Sequence, residues 1–418
     1  MSSSPHSGFR IALLCFLVAA TIRLSILFGT GLYLKLDRTE MASVAVTFAH
    51  TGQLGNPYMA LPTGPTAHVA PVYPLLLGMI YRLFGDGKTG EIVKQIVASC
   101  VSSARAPLLV LLTLTIGFGG GVALVAGLCS AMHIGAFETE LKGDWEGPMA
   151  ANALLILVIS AYRIGWRRLP TSVEALCYGL GWGVALLIAP GLLPVGVGLA
   201  LLGCAAAVRK AMRDSAKVLL LFALGCMLAL SPWVIRNHLV LGGLVWGRDN
   251  FGLELSVSNG PGASWSNPEN HDRIYSMHPS RYLPAAKKLR EQGELAFEAD
   301  RKREGLEWIR THPREFAGLT ANRIWHFWFP SGRNRAHQIA LAALTLLAIA
   351  GLAVMWRLSN PGFMITVTIW TTYPALYYII QWSSRYRQPI EWSLILSASV
   401  AVYEGYVRTK HALAASIS

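Results

Sequence analysis

Apolar residues in this sequence follow one another in long runs that are bordered by charged residues. Two of these runs, Leu176–Val208 and Ala106–Phe137, contain no Asp, Glu, Lys or Arg. A helix that crosses a bilayer needs about 20 apolar residues. The runs and their borders predict about ten transmembrane helices, at residues 10–32, 92–116, 119–136, 148–165, 173–189, 191–208, 217–234, 338–356, 362–381 and 389–407.

The basic residues predict how these helices are oriented. Lys and Arg cluster after residues 162, 208 and 407, and such clusters mark cytoplasmic ends. Both chain ends are then cytoplasmic, and Pro190 lies in an outer turn between two helices. Pro71–Gly85 is apolar, but it is short for a span and carries Arg82. We interpret it as a juxtamembrane helix on the outer surface.

This topology divides the chain into three parts. Residues 1–235 form a transmembrane module with outer loops 33–90 and 136–147, residues 236–337 form a small extracytoplasmic domain, and residues 338–418 form the C-terminal transmembrane helices. Within the outer domain, the apolar spacing predicts that residues 284–312 are helical and amphipathic. The fold class is an all-α polytopic membrane protein of the plasma (inner) membrane.

Composition agrees with this prediction. The chain is 53% hydrophobic and 14% charged, whereas about a quarter of the residues in a soluble domain are charged. This excludes a secreted enzyme, a nucleic-acid-binding protein and a disordered chain. The net charge of +13 is concentrated at predicted cytoplasmic ends, so membrane lipid, and no nucleic acid, is the expected partner. The six cysteines lie in apolar stretches and show no disulfide or zinc spacing.

Two acidic residues follow the first predicted span. Asp37 and Glu40 lie at the outer membrane surface, just before an amphipathic helix. Asp37 as N-cap with Glu40 three positions later would form a capping box. Capping is compatible with catalysis, because a cap fixes a carboxylate in place. Both residues are therefore candidate catalytic acids.

The second outer loop holds the densest acidic cluster in the chain. Its members are Glu138, Glu140, Asp144 and Glu146. They either form a solvated loop or supply charge to a site. Asp144 and Glu146 offer a pair of oxygen ligands, so a divalent cation is an open cofactor assignment with these two as its ligands.

Three arginines and one histidine are candidates for binding a phosphate. Arg236 closes the seventh span, and Arg385 and Arg387 lie in a short outer loop, where positive charge runs against the topology bias. A guanidinium fork matches the oxygens of a phosphate group. His68 lies in a Pro- and Gly-rich segment and is either structural, a phosphate ligand or a proton carrier.

Carboxylates and arginines on one face of a membrane suggest a reaction. A sugar on a lipid phosphate has its anomeric carbon just above the headgroups, and a carboxylate could remove the proton of an attacking hydroxyl group. The departing phosphate would gain negative charge, which arginines stabilise. No Walker or Rossmann fingerprint is present.

These residues resemble a known superfamily. Asp37 after the first span, the block Ala70–Leu77 with Leu83–Gly85, and Arg385-Tyr386-Arg387 before the last span resemble the GT-C polyprenyl-phosphate-sugar-dependent glycosyltransferases, in the branch of protein O-mannosyltransferases and aminoarabinose transferases. The resemblance implies an inverting transfer from a polyprenyl-phosphate-linked sugar on the outer leaflet. It assigns the acid of the first outer loop to Asp37, and one acid of the second loop to the site.

An alternative interpretation is a transporter or flippase of lipid-linked sugars. Transporters place ionisable groups near the bilayer midplane, whereas nearly all acids here lie in outer loops. The sequence does not determine which sugar is moved, nor whether the acceptor is a protein, a lipid or a polysaccharide.

Overall fold

The structure is a computed structural model that describes residues 5–34, 39–133, 137–143, 145–165, 169–208, 212–331 and 335–417. Within these ranges the chain is helical, with only two isolated β-bridges, Gly55–Pro65 and Ser266–Trp382. The helices are α1 (Pro5–Gly29), α2 (Glu40–Thr51), α3 (Val72–Phe84), α4 (Lys88–Thr115), α5 (Gly120–Met132), α6 (Phe137–Lys142), α7 (Gly147–Gly165), α8 (Ser172–Ile188), α9 (Leu193–Val208), α10 (Met212–Leu241), α11 (Phe251–Ser258), α12 (His271–Met277), α13 (Leu283–Gln292), α14 (Glu294–Thr311), α15 (Pro313–Trp328), α16 (Arg335–Arg357), α17 (Gly362–Thr372) and α18 (Gln388–Ile417). Short 3-10 helices occupy Leu32–Leu34, Pro190–Leu192, Tyr373–Tyr378 and Ser384–Arg387.

A helix lies at each of the ten predicted spans, and this confirms the all-α membrane fold class. Among the described residues, five helices are long and apolar enough to cross a bilayer, and they lie within α1, α4, α7, α10 and α16. Several of the others are shorter apolar helices, for example Gly120–Met132 and Ser172–Ile188. The number of crossings stays a prediction.

Glycines allow the bundle helices to approach closely. A Cβ on Gly179 of α8 would lie 2.0 Å from the backbone oxygen of Phe222 in α10, and one on Gly351 of α16 would lie 1.6 Å from the oxygen of Ser397 in α18. Neither contact leaves room for a side chain. Small residues are the usual means by which membrane helices pack, because lipid supplies no hydrophobic driving force between them.

The first predicted outer loop contains two helices that pack together. As predicted, Pro71–Gly85 is helical: α3 packs on α2 through an apolar cluster that includes Met41, Tyr73 and Leu77. The predicted capping box is wrong in detail, because α2 begins at Glu40 and its N-cap is Thr39, which makes no side-chain capping bond. Glu40 is therefore the first residue of the helix rather than its N3 position.

The segment 284–312, predicted to be helical, consists of two helices, α13 and α14. Gly293 has a φ of 84°, a left-handed conformation that favours glycine, and the chain turns there between α13 and α14. Periodicity does not show such a break, because both halves have an apolar face. Pro313 then begins α15, as a proline does at a first helical position.

The loops predicted to be extracytoplasmic meet at one end of the bundle. The backbone N–H of Asp249 donates to Ala67 O at 2.7 Å, which joins region 236–337 to the first loop. The Tyr73 hydroxyl donates to Gly143 O at 2.7 Å, which joins the first loop to the second. Asn267 N–H donates to Trp382 O at 2.9 Å, which adds the connection before α18. Residues far apart in sequence are therefore assembled at this end.

Candidate functional site

Glu40 lies between two histidines. Its Oε2 atom is 3.4 Å from His68 Nε2, and its Oε1 atom is 3.7 Å from His278 Nε2. His68 is 2% exposed, whereas the Glu40 side chain keeps 20% of its surface accessible. The carboxylate is thus held by two buried rings and remains open on another side.

The remaining ring nitrogens indicate where the protons are. His278 Nδ1 accepts from the backbone N–H of Ser280 at 3.2 Å, so the proton of a neutral His278 ring is on Nε2, facing Glu40. His68 Nδ1 lies 3.2 Å from the Tyr58 hydroxyl. Both imidazoles can therefore donate toward the same carboxylate.

The arrangement keeps Glu40 ionised. Burial alone would raise the pKa of Glu40, but the hydrogen bond and charge of His68, with the charges of His278 and Arg385, hold it well below its usual range. Burial opposes a charge on His68, yet its hydrogen bond and charge interaction with Glu40 raise the pKa of that ring. Burial lowers the pKa of His278. These shifts favour an ion pair between Glu40 and His68 and a neutral His278 ring.

A closed loop positions His68. Leu54 O accepts from Thr66 N at 3.1 Å, and Gly64 O accepts from Asn56 N at 2.8 Å. Arg236 closes the base of this loop, because its guanidinium donates to Leu54 O at 2.6 Å and to Thr66 O at 2.8 Å. Arg236 therefore fixes the segment that precedes His68. The sequence had predicted that this arginine binds phosphate.

Arg385 lies at the other side of the site, between aromatic rings. Its guanidinium carbon is 3.6 Å from the centre of the Trp145 ring and 5.4 Å from that of Tyr386. Burial disfavours its charge, but Tyr386, Glu254 and Glu146 raise the pKa of Arg385. Among the described residues no carboxylate lies within ion-pair distance of it. Trp145 also packs against the apolar cluster that includes Met41, the residue after Glu40, so Arg385 and Glu40 lie at the same end of the bundle.

Arg387, two residues later, faces the interior. It is 3% exposed and donates from Nε and Nη2 to both oxygens of Glu391, at 2.6 and 2.7 Å. Its Nη1 donates to Trp328 O at 3.0 Å and to the Thr345 hydroxyl at 3.2 Å. All these donors bind protein atoms, which differs from the phosphate-binding role predicted from the sequence.

The acids of the second loop separate into two groups. Glu140 is 1% exposed and pairs with Arg105 at 2.8 Å and with Arg23 at 3.1 Å. Glu146 remains near the site, where it lies 3.6 Å from Arg248 Nη1. The side chain of Glu138 and all of Asp144 lie outside the described residues, as does Asp37 of the first loop.

No group of three or more His, Cys, Asp or Glu in the described part of the chain is placed to hold a metal ion. Of the two predicted ligands, Glu146 faces Arg248, and Asp144 is not described. Both oxygens of Glu40 face imidazole N–H groups. The divalent cation stays an open prediction, and we assign it no step.

Several residues of the site had no signal in the sequence. Tyr58, Arg248, Glu254 and His278 reach it from loops or helices whose position depends on contacts between distant segments. Glu254, for example, is held by Gln381 at 3.5 Å, from the connection before α18. No spacing within region 236–337 distinguishes His278 from the other histidines there.

The fold is similar to those of solved membrane enzymes. The apo oligosaccharyltransferase of Archaeoglobus fulgidus aligns with a TM-score of 0.57 and 13% identity, over 98% of this chain and 52% of that one. The same archaeal enzyme, AglB, in complex with an inhibitory peptide and a dolichol-phosphate aligns with a TM-score of 0.55 and 14% identity, over 96% of this chain and 51% of that one. The chain thus spans about half the length of that protein. No protein-family model and no curated protein sequence matches it.

These similarities show a fold like that of the archaeal oligosaccharyltransferase, which agrees with the fold that the sequence resemblance implied. With its apolar helices, the chain is a multi-pass membrane protein.

Proposed function

We propose that this protein is an integral membrane glycosyltransferase. It moves a sugar from a polyprenyl-phosphate donor to a hydroxyl acceptor on the outer face of the membrane, with inversion at the anomeric carbon. The observation that carries the proposal is the placement of Glu40, held by two histidines, and of Arg385, flanked by aromatic rings, at one end of an apolar helical bundle. A lipid headgroup at that end would have its phosphate and its sugar beside these two groups.

Arg385 is the proposed ligand of the donor phosphate. Its charge lies against Trp145 and Tyr386, which exclude water and so strengthen its attraction for an anion. The bond from the anomeric carbon to the phosphate oxygen breaks, and the polyprenyl phosphate leaves with the electron pair. Arg385 would stabilise the charge that develops on that oxygen. The archaeal enzyme of similar fold has been solved with a dolichol-phosphate.

A base must remove the proton of the acceptor hydroxyl group. The ionisation state of Glu40 indicates which carboxylate is that base. A carboxylate whose pKa is held well below its usual range is a weak proton acceptor, and both Glu40 oxygens already face imidazole N–H groups. We therefore assign the proton to Asp37, three residues earlier in the chain. The acceptor oxygen attacks the anomeric carbon from the face opposite the phosphate, and its proton passes to the Asp37 carboxylate.

Glu40 would then act through its fixed negative charge. Glycosyl transfer develops positive charge at the anomeric carbon in its transition state. A carboxylate that stays ionised and oriented by two histidines offers a favourable charge without having to reorganise. His68 and His278 in this scheme orient Glu40 and do not transfer the acceptor proton.

The test begins with the donor, since its sugar is unidentified. Deletion of the gene should cause one lipid-linked sugar to accumulate, and mass spectrometry of the lipid extract would identify it. Purified protein in lipid nanodiscs should transfer that sugar to a hydroxyl acceptor, and Asp37→Asn should abolish transfer while the protein inserts and accumulates normally. Arg310→Ala, at an exposed ion pair on α14, is the matched control and should keep full turnover.

Unchanged turnover in Asp37→Asn would refute the assignment of the base. Movement of the lipid across the bilayer without a glycoside product would favour a flippase.

A further inference from the structure

A carboxylate from region 236–337 holds the segment that carries His68. Glu294, the first residue of α14, accepts from the Thr66 hydroxyl and, through Oε1, from the backbone N–H of Ala67 at 2.6 Å. Glu294 is 7% exposed, Thr66 is 1% exposed and Ala67 is fully buried. Water therefore cannot replace these bonds without opening the structure.

The hydrogen bonds continue from Glu294 to His68 itself. The Thr66 hydroxyl donates to Glu294 and accepts from the backbone N–H of His68, with a Thr66 Oγ1 to His68 N distance of 2.9 Å. Ala67 O accepts from Asp249 N–H at 2.7 Å. Region 236–337 thus bonds Thr66 and Ala67 directly and holds His68 through the Thr66 hydroxyl.

We propose that Glu294 is a positioning residue for the reaction. It fixes Thr66 and Ala67 so that the His68 ring meets Glu40, and it thereby links region 236–337 to the transfer step. This inference rests on the proposed function for its catalytic meaning, while the hydrogen-bonded chain from Glu294 to His68 stands on the geometry alone.

A small displacement at this junction would matter. The Glu40–His68 contact is 3.4 Å long, and a further shift of about 1 Å would break it, an error of the size that can cost about a hundredfold in rate. Glu294 can act at this distance because Gly293, with its φ of 84°, turns the chain so that α14 starts against the loop. The same turn divides α13 from α14.

The experiment measures the chemical accessibility of the His68 ring as well as the transfer activity. Diethylpyrocarbonate modifies neutral, accessible imidazoles, and peptide mass spectrometry reports each histidine separately. In Glu294→Ala, modification of His68 at fixed pH should accelerate about tenfold or more, because the ring loses both its burial and its ion pair. Exposed His50, whose side chain is 65% accessible, is the internal reference and should not change. The kcat should fall about tenfold or more with KM for the donor within about twofold.

Three variants separate positioning from general stability. Glu294→Gln keeps an oxygen for Ala67 N–H, so it should restore His68 protection and most of the activity. Trp308→Leu, at a buried residue farther along α14, should lower the melting temperature without changing His68 modification. If Glu294→Ala does not fold, Thr66→Val removes the hydroxyl at the same junction and should expose His68 in the same direction.

The inference is overturned if Glu294→Ala, or Thr66→Val in its place, leaves His68 as protected as in Trp308→Leu. Should wild-type protein transfer no sugar while Glu294→Ala still releases His68, the proposed function fails and the positional coupling stands. Loss of activity in Glu294→Ala with His68 still protected would contradict positioning and leave the transferase assignment intact.

Discussion

Glu40 and Glu140 are both largely enclosed carboxylates from outer loops, yet their surroundings differ. Glu140 is 1% exposed and bound by two guanidiniums, Arg23 and Arg105, which do not lose their charge in proteins. Glu40 keeps 20% of its surface and faces two imidazoles, which titrate near neutral pH. The comparison teaches that burial alone does not separate a structural carboxylate from a candidate catalytic one. The chemistry of the groups that contact the carboxylate, and the accessibility of its oxygens, make the difference.

The Glu140 cluster also explains an arginine within the first span. Arg23 is costly in a membrane helix unless it is paired, and it donates to Glu140 at 3.1 Å and to Ala131 O at 3.1 Å. It also lies over the Phe137 ring, 4.9 Å from its centre. This cluster ties α1, α4 and α6 together.

The largest expected effect comes from removing Glu140, the structural carboxylate of this comparison. Glu140→Ala leaves Arg23 and Arg105 as buried charges without their carboxylate, and loss of one partner of a buried pair costs about 3–5 kcal/mol. We expect a large fall in thermal stability in detergent and low accumulation in the membrane. Per folded molecule, the rate of transfer should be nearly unchanged. A variant as stable as wild type that loses turnover would place Glu140 in the chemistry.

Glu40→Gln tests the candidate catalytic carboxylate of this comparison. The amide keeps the shape but loses the negative charge, so transfer should fall by about a hundredfold to a thousandfold, the cost of removing one preorganised electrostatic group. Because the variant also loses the charge that faces His68, its melting temperature should fall, and the rate is therefore compared per folded molecule. Single-turnover transfer in nanodiscs measures the rate, and Arg310→Ala again serves as the control. A loss below about threefold would show that the charge of Glu40 is not used.

The two neighbouring arginines sharpen the comparison within one loop. Arg385→Ala should weaken binding of a defined polyprenyl phosphate by about tenfold to a hundredfold, the usual worth of a charge-assisted bond. The fold should remain intact. Arg387→Ala should instead destabilise the protein, because Glu391 loses both of its bonds to the guanidinium. Equal loss of donor binding in two stable variants would contradict this division.

The smallest expected effect is a shift in pH dependence. Glu40 has a lowered pKa, so its contribution to stability is present above its ordinary value of 4.5 and is lost as pH falls through the folded pKa. His68 has a raised pKa, so its contribution is present below 6.5 and is lost as pH rises through the folded value. His68→Gln removes the ring that lowers the Glu40 pKa most. The acid limb of kcat/KM should then move to higher pH, and an unmoved limb would contradict the ion pair.

The sequence predicted the helical architecture because apolar runs and charged borders record the bilayer directly. It also selected Glu40, His68 and Arg385, which the structure brings to one end of the bundle. Their position next to a predicted membrane surface was sufficient to identify these three residues as candidates.

Other features depend on tertiary contacts and could not be predicted in this way. Arg385 and Arg387 have similar local sequence, and only the packing of α15, α16 and α18 directs Arg387 to Glu391. His278 reaches Glu40 through the fold of region 236–337. Gly293 divides one periodic stretch into two helices, since a single left-handed residue leaves the apolar spacing almost unchanged.

The most direct test locates the phosphate. Cryo-electron microscopy of the protein in nanodiscs with a defined polyprenyl monophosphate should show the phosphate at Arg385, beside Trp145 and on the side of Glu40. A polar cavity is lined by Arg105, His133, Arg387 and Glu391. Phosphate density there, with none at Arg385, would contradict the account.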